Sequence, residues 1–163
     1  MTTKTTRATV ALDSIEVTYV LHEYAVVEKV GDGYGEAVAA AIGMPSTRVF
    51  KTLVAEVDGA AVVAVVPVAV RLSPRLLARA AGGKRAEMVA PEVAERLTGY
   101  VSGGISPFAQ RRPLDFYVDS SALGHETVAV SGGARGIQLE LSPQDLIRAT
   151  DARVAALVDD DAR

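Results

Sequence analysis

The stretch RVFKTLVAEVDGAAVVAVVPV constrains the fold more than any other part of the chain. Two runs rich in valine and alanine flank Asp58-Gly59, a dipeptide that tolerates the positive φ angles of a two-residue hairpin turn. The pattern predicts a β-hairpin with arms over about 48–57 and 60–68. Side chains alternate along a strand, so Val49, Lys51 and Leu53 share one face of the first arm while Phe50, Thr52 and Val54 share the other. Lys51 is thus a charge in an apolar strand, where lost hydration costs an ammonium several kcal/mol. Two readings are open. It is an edge-strand lysine whose stem packs while its head reaches water, or it stands at the mouth of a pocket and meets an anionic or carbonyl group of a ligand.

The rest of the chain supplies partners for that hairpin. SIEVTYVLHEY alternates as a strand from about Ile15 to Tyr24, and GEAVAAAIG reads as a short helix closed by Gly43, with Ser46 in the turn after it. LSPRLLARAAGG carries Ser73 as N-cap, Pro74 at the first helical position and a Gly82-Gly83 stop. A short strand near Met88 leads into the helix PEVAERLTG. LDFYVD, ETVAVSGG and GIQLEL read as strands, and SPQDLIRAT is another Ser-Pro capped helix. Hairpins mixed with helices predict an α+β fold with a largely antiparallel or mixed sheet, not a doubly wound one.

With 163 residues and 49% apolar content the chain is expected to form a single domain, over 14–158, with a flexible lead at 1–13 and a frayed acidic tail at 159–163. Aromatic residues make up only 5% and tryptophan is absent, so the core is built from small, branched side chains. The longest apolar run, Ala60–Val70, is too short to span a bilayer and is broken by Pro67. The opening MTTKTTRATVALDS lacks the apolar core of a secretory signal, and a cytoplasmic protein without membrane association is expected.

The chain has no cysteine and two histidines, His22 and His125, which removes disulfides, thiolate metal sites and a cysteine nucleophile. Neither histidine stands in a nucleophile motif. A net charge of −3 argues against coating DNA or RNA duplexes by bulk electrostatics. Lys51, Lys84, Arg85, Arg111, Arg112 and Arg135 could still form a basic mouth, which suits a nucleic acid terminus. GDGYGEA lacks the G-x-G-x-x-G spacing, and AAGGKR lacks the first glycine of a P-loop. The loop GYVSGGISPF is more informative: paired glycines let backbone N–H groups approach a ligand, although a tight helix-to-strand connection would read the same way. The phrase VSGG recurs at Val130–Gly133 with different flanks, so the two are similar loops rather than repeats.

VFKTLV, GYVSGGISP followed by QRRPL, and VAVSGGARGIQLELSPQDLI together resemble the YbaK/EbsC family of aminoacyl-tRNA deacylases, relatives of the editing domain inserted in bacterial prolyl-tRNA synthetases. The resemblance runs from about Val17 to Val158. It implies a compact, barrel-like mixed sheet with flanking helices. It also implies trans-editing hydrolysis of a wrong amino acid from the 3′ end of tRNA, above all cysteine from tRNA for proline, beside prolyl-tRNA synthetase and without a metal or other cofactor. The family's essential lysine falls on Lys51, its G-x-x-x-P loop on Gly103–Pro107, its first-strand tyrosine on Tyr24 and its Ser-Gly-Gly turn on Ser131–Gly133. Phe50 and Thr52, beside the lysine, are implied substrate contacts, and the amides of Gly103 and Gly104 with Ser106 would line the carbonyl side. Pro107, Ser131 and Gly132 complete the implied pocket. Two positions near the expected pocket depart from the family: Gln138 where some members carry Asp, and Ala134 where Lys or Gln is usual. Rival readings are removal of another small amino acid, alanine or serine, and a non-catalytic module that binds tRNA or a synthetase.

Overall fold

The computed structural model describes residues 4–26 and 33–159. Gly31 of the GDGYGEA motif and most of the acidic tail lie outside the described residues. The hairpin forms as its sequence dictates. Strand β2 (Phe50–Val57) pairs antiparallel with β3 (Ala60–Pro67) in a register that sets Val57 opposite Ala60. Asp58 and Gly59 take φ of 50° and 87°, the double left-handed geometry of a type I′ turn. The Asp58 carboxylate also accepts the N–H groups of Lys84 (2.9 Å) and Arg85 (3.0 Å), which ties the hairpin tip to the start of β4 (Ala86–Met88).

The hairpin is the middle of a five-stranded mixed sheet ordered β4-β2-β3-β5-β8, in which β5 (Asp115–Asp119) and β8 (Arg153–Ala155) run parallel to β3. A second, antiparallel sheet is ordered β1-β7-β6, from Val20–Glu23, Ile137–Leu141 and Val128–Ser131. A single parallel bridge between Val49 and Ala129 joins them. The fold is the expected α+β, but the sheet is not closed into a barrel.

Alternation along the hairpin builds a core on each face of the large sheet. Phe50, Val63, Val65, Phe116 and Val118 pack against Val128, Val130, Leu139 and Leu141 of the smaller sheet. Ala55, Val57, Ala64 and Val66 pack on the other face against Leu77 and Ala78 of helix α3 (Pro74–Ala80). The Ser-Pro signals mark real helix starts: the hydroxyls of Ser73 and Ser142 cap α3 and α5 (Pro143–Thr150). Helices α2 (Tyr34–Ile42) and α4 (Pro91–Thr98) end in left-handed glycines, Gly43 and Gly99.

Three local expectations need correction. The strand expected from Ile15 spans only Val20–Glu23, because Val17 turns inward after the Glu16 bend at φ 59°. Strand β8, Arg-Val-Ala, is too short to carry an alternation signal. The lead expected to be flexible contains helix α1 (Arg7–Ser14), with a Thr6–Thr9 capping box and with Ala8 and Leu12 fully in the core. No helix among the described residues is long and apolar enough to cross a membrane.

Candidate active site

Strand β4 covers β2 only at Ala55–Val57, so among the described residues the stretch from Phe50 to Leu53 has no strand on that side. Val68 N–H donates to Val49 C=O at 2.8 Å, which turns the backbone groups of odd-numbered β2 residues toward β3. Those of Thr52 consequently face the uncovered side. A cleft of about 980 Å³ opens there, floored by β2 and walled by the N-terminal turn of α2, the segment after β3, β4 and the 102–105 loop.

Lys51 stands in this cleft, half-buried, with its strand neighbours held by the hairpin ladder. Burial is the main force lowering its pKa from the ordinary lysine value; the nearby Arg71 guanidinium lowers it further, and Glu36 on α2 partly opposes both. Both initial readings of Lys51 therefore hold part of the truth: β2 is locally an edge, and that edge is the wall of a pocket.

Phe50, Thr52, Gly103 and Ser131 line the cleft with Lys51. Gln138 lies beside Ser131 across the β6–β7 ladder and also lines it. The buried Thr52 hydroxyl and Gln138 carbonyl oxygen have no hydrogen-bond partner among the described residues, so the cleft contains unspent polar capacity.

The other expected residues support the cleft from behind. Tyr24 sits next to Tyr34, whose hydroxyl donates to Gly103 C=O at 3.2 Å. Burial, then Tyr24, raises the Tyr34 pKa, which keeps that hydroxyl a donor. The Gly104 N–H is spent on Val101 C=O at 2.9 Å, and a Cβ there would lie 3.0 Å from the backbone of Ala134 and Arg135. That amide does not face the cleft as expected. Ser106 is fully buried and its hydroxyl accepts the Phe108 N–H, while Pro107 is buried beside it. The Gly132 N–H closes the β6–β7 hairpin on Ile137 C=O, and a Cβ there would strike the Ile137 side chain at 2.5 Å.

The two VSGG loops, similar in sequence, meet in space. Arg135 Nε donates to Ser102 C=O at 2.9 Å, and Gly104 packs on the Ala134–Arg135 backbone. Helix α1 clasps both loops: Thr6 Oγ1 donates to Gly132 C=O at 2.6 Å, and the Arg7 guanidinium lies 4.6 Å from the Tyr100 ring centre.

Of the six basic residues expected at the mouth, only Lys51 lines the cleft; the second cation there is Arg71, which carries no sequence signal because an arginine just after a strand looks like an ordinary loop residue. Neither histidine lines it, and His22 Nε2 is engaged 2.7 Å from Glu140 Oε1.

Comparison with known proteins bears on what such a cleft does. The family model of the aminoacyl-tRNA editing domain matches residues 32–149. The chain belongs to this family. Among relatives of this editing domain, the Enterococcus faecalis protein named "Putative Cys-tRNA(Pro)/Cys-tRNA(Cys) deacylase EbsC" is 36% identical over 123 residues, 75% of each chain. A crystal structure described as "a putative trans-editing enzyme for prolyl tRNA synthetase" superimposes with a TM-score of 0.79 at 27% identity, covering 94% of this chain and 95% of that one. The crystal structure of the hypothetical protein APE2540 gives a TM-score of 0.80 at 28% identity, over 94% and 100%. The editing-domain fold thus extends over nearly the whole chain.

Proposed function

We propose that this editing domain acts in trans, hydrolysing the ester that joins a wrong amino acid to the 3′ end of tRNA, with Cys-tRNA(Pro) as its substrate. The observation that carries the reading is Lys51: a half-buried ammonium, lining an open cleft that holds no histidine or cysteine. Such a cleft suits chemistry in which the protein orients and polarises while another group attacks. Lys51 supplies positive charge to the ester or ribose oxygens. Water adds to the ester carbonyl carbon, the bond to the ribose oxygen breaks, that oxygen takes up a proton, and free amino acid and tRNA leave. For a cysteinyl ester the substrate's own thiol can attack first: it gives up its proton, sulfur bonds to the carbonyl carbon, the bond to the ribose oxygen breaks and that oxygen takes the proton, and water then opens the resulting cysteine thiolactone to free cysteine. Thr52 and Gln138 offer their unspent polar atoms to the aminoacyl group from the floor of the cleft.

The net charge of −3 leaves few phosphate contacts, so affinity for free tRNA should be weak and steeply salt-dependent. Prolyl-tRNA synthetase would then raise the local concentration of mischarged substrate. The deciding experiment measures release of labelled amino acid from Cys-tRNA(Pro), Ala-tRNA(Pro) and seryl-tRNA, with and without the synthetase. Fast release from Cys-tRNA(Pro) supports the assignment, preference for alanine or serine moves it to another small amino acid, and no release from any substrate leaves a binding module.

A further inference from the structure

Lys51 shares its cleft with a second cation whose position is fixed at both ends. After β3 the chain runs from Val68 to Leu72 along the cleft wall. Val68 N–H bonds to Val49 C=O at 2.8 Å, and Ser73 N–H bonds to Leu157 C=O at 2.8 Å, so the segment carrying Arg71 is anchored on either side. Arg71 is exposed, and among the described residues neither it nor Lys51 forms a close ion pair with a carboxylate. Among the described residues the acids that line the cleft are Glu36 on α2 and Glu87 on β4, both exposed. Glu36 favours the Lys51 charge less than Arg71 opposes it. Two cations brought to one half-enclosed space repel each other, and an anion bound between them reverses that repulsion.

The chemistry of the substrate restricts what the anion can be. In an aminoacyl ester the amino acid's carboxylate is consumed and its amino group tends to be cationic, so the aminoacyl group cannot neutralise this pair. Only the phosphodiesters of the strand can. A guanidinium fork matches two oxygens of a tetrahedral phosphate, which an ammonium alone does not.

We propose that Arg71 binds a phosphodiester in the single-stranded 3′ end of the tRNA, and that this anion, set between Arg71 and Lys51, positions the ester at the lysine. Arg71 is then a positioning residue that works through the strand. The inference rests on the deacylase reading for its ligand, and its test does not depend on turnover.

The trinucleotide CCA, 5′-AMP and adenosine are titrated into wild type, Arg71→Ala and Arg71→Lys over a range of salt. Arg71→Ala should weaken CCA and 5′-AMP by about three- to tenfold, as loss of one exposed charge-assisted contact does. It should flatten the salt slope for CCA by about 0.7 and leave adenosine unaffected; Arg71→Lys, which keeps the charge but not the fork, should restore the slope and only part of the affinity. An unchanged slope, equal weakening of adenosine, or no phosphate-dependent binding by wild type overturns the proposal. Tighter binding of 5′-AMP than of CCA assigns the phosphate to a free nucleotide and overturns the strand assignment. Deacylation measured in parallel separates the two readings. Arg71-dependent CCA binding without hydrolysis of any mischarged tRNA sinks the deacylase assignment and keeps the phosphate contact; hydrolysis with the same KM and salt slope in Arg71→Ala does the reverse.

Discussion

Lys51 shows how a single charge can be costly to the fold while the proposed mechanism depends on it. Burial and Arg71 hold its pKa below the ordinary lysine value, so the folded chain binds that proton less tightly than the unfolded chain. The residue therefore detracts from stability below the folded pKa, and the penalty fades as pH rises toward the unfolded value. Lys51→Met keeps the stem and removes the charge. It should melt no lower than wild type at neutral pH and lose the pH dependence, while deacylation falls by about 100-fold or more, the scale of losing one electrostatic stabiliser. Full activity in this variant would remove Lys51 from the mechanism, and gross unfolding would make it structural. The ratio of wild-type to Lys51→Met rates should also decline on the alkaline side, at a lower pH than an unperturbed lysine would give. Lys51 was legible because a charge inside a run of valines has few innocent explanations. Arg71 was not legible, since an arginine after a strand is ordinary; Gln138 stood out through the family resemblance alone, and it does line the cleft, whereas Ala134, the other departure, packs on Gly104 and does not.

Elements in this domain are held by local chemistry that sequence reveals unevenly. The Asp-Gly turn and the Ser-Pro caps are short-range signals, and the hairpin, α3 and α5 follow from them. The division into two sheets depends on where strands stop pairing, which no local pattern encodes. The smaller sheet is laced by Glu140, which accepts hydrogen bonds from Thr127 and pairs with His22 and Arg48. The Thr127 hydrogen bond, followed by that of His22, holds the Glu140 carboxyl below its usual pKa. Its stabilising contribution is full above the ordinary carboxylate value, about 4.3, and is lost as pH falls through the lower folded pKa. Glu140→Gln should lower the melting temperature at neutral pH, and its deficit should shrink on acidification; a deficit constant with pH would rule this out. At the glycine loops, Gly104→Val must push the Ala134–Arg135 backbone. The variant should lose about 1–3 kcal/mol, and activity should fall alike on cysteinyl and alanyl substrates. A stable variant with altered preference among amino acids would return Gly104 to the substrate surface.

At the scale of the molecule, the cleft lies where the two sheets meet at one bridge, and the loops behind it are fastened by a helix from a distant part of the chain. The fold class was legible from the mixture of hairpins and helices. The clasp was not, because a threonine-rich, basic lead has the composition of a frayed end, and its partners are distant in sequence. Leu12→Ala should cost about 2–5 kcal/mol. Thr6→Ala, which removes an N-cap worth about 1 kcal/mol and the contact to Gly132, should lower both melting temperature and deacylation. Unchanged activity in a measurably destabilised Thr6→Ala would show that the clasp serves the fold alone. The contact between Thr6 and Gly132 spans 126 positions. On the ribosome the helix is made long before the loop it must hold, and Lys51 emerges with its neighbours while the ground behind the cleft is still missing. A nascent chain stopped short of Gly132 can form the hairpin but cannot fasten the site, so the power to cleave an ester arrives late in synthesis rather than accumulating along it.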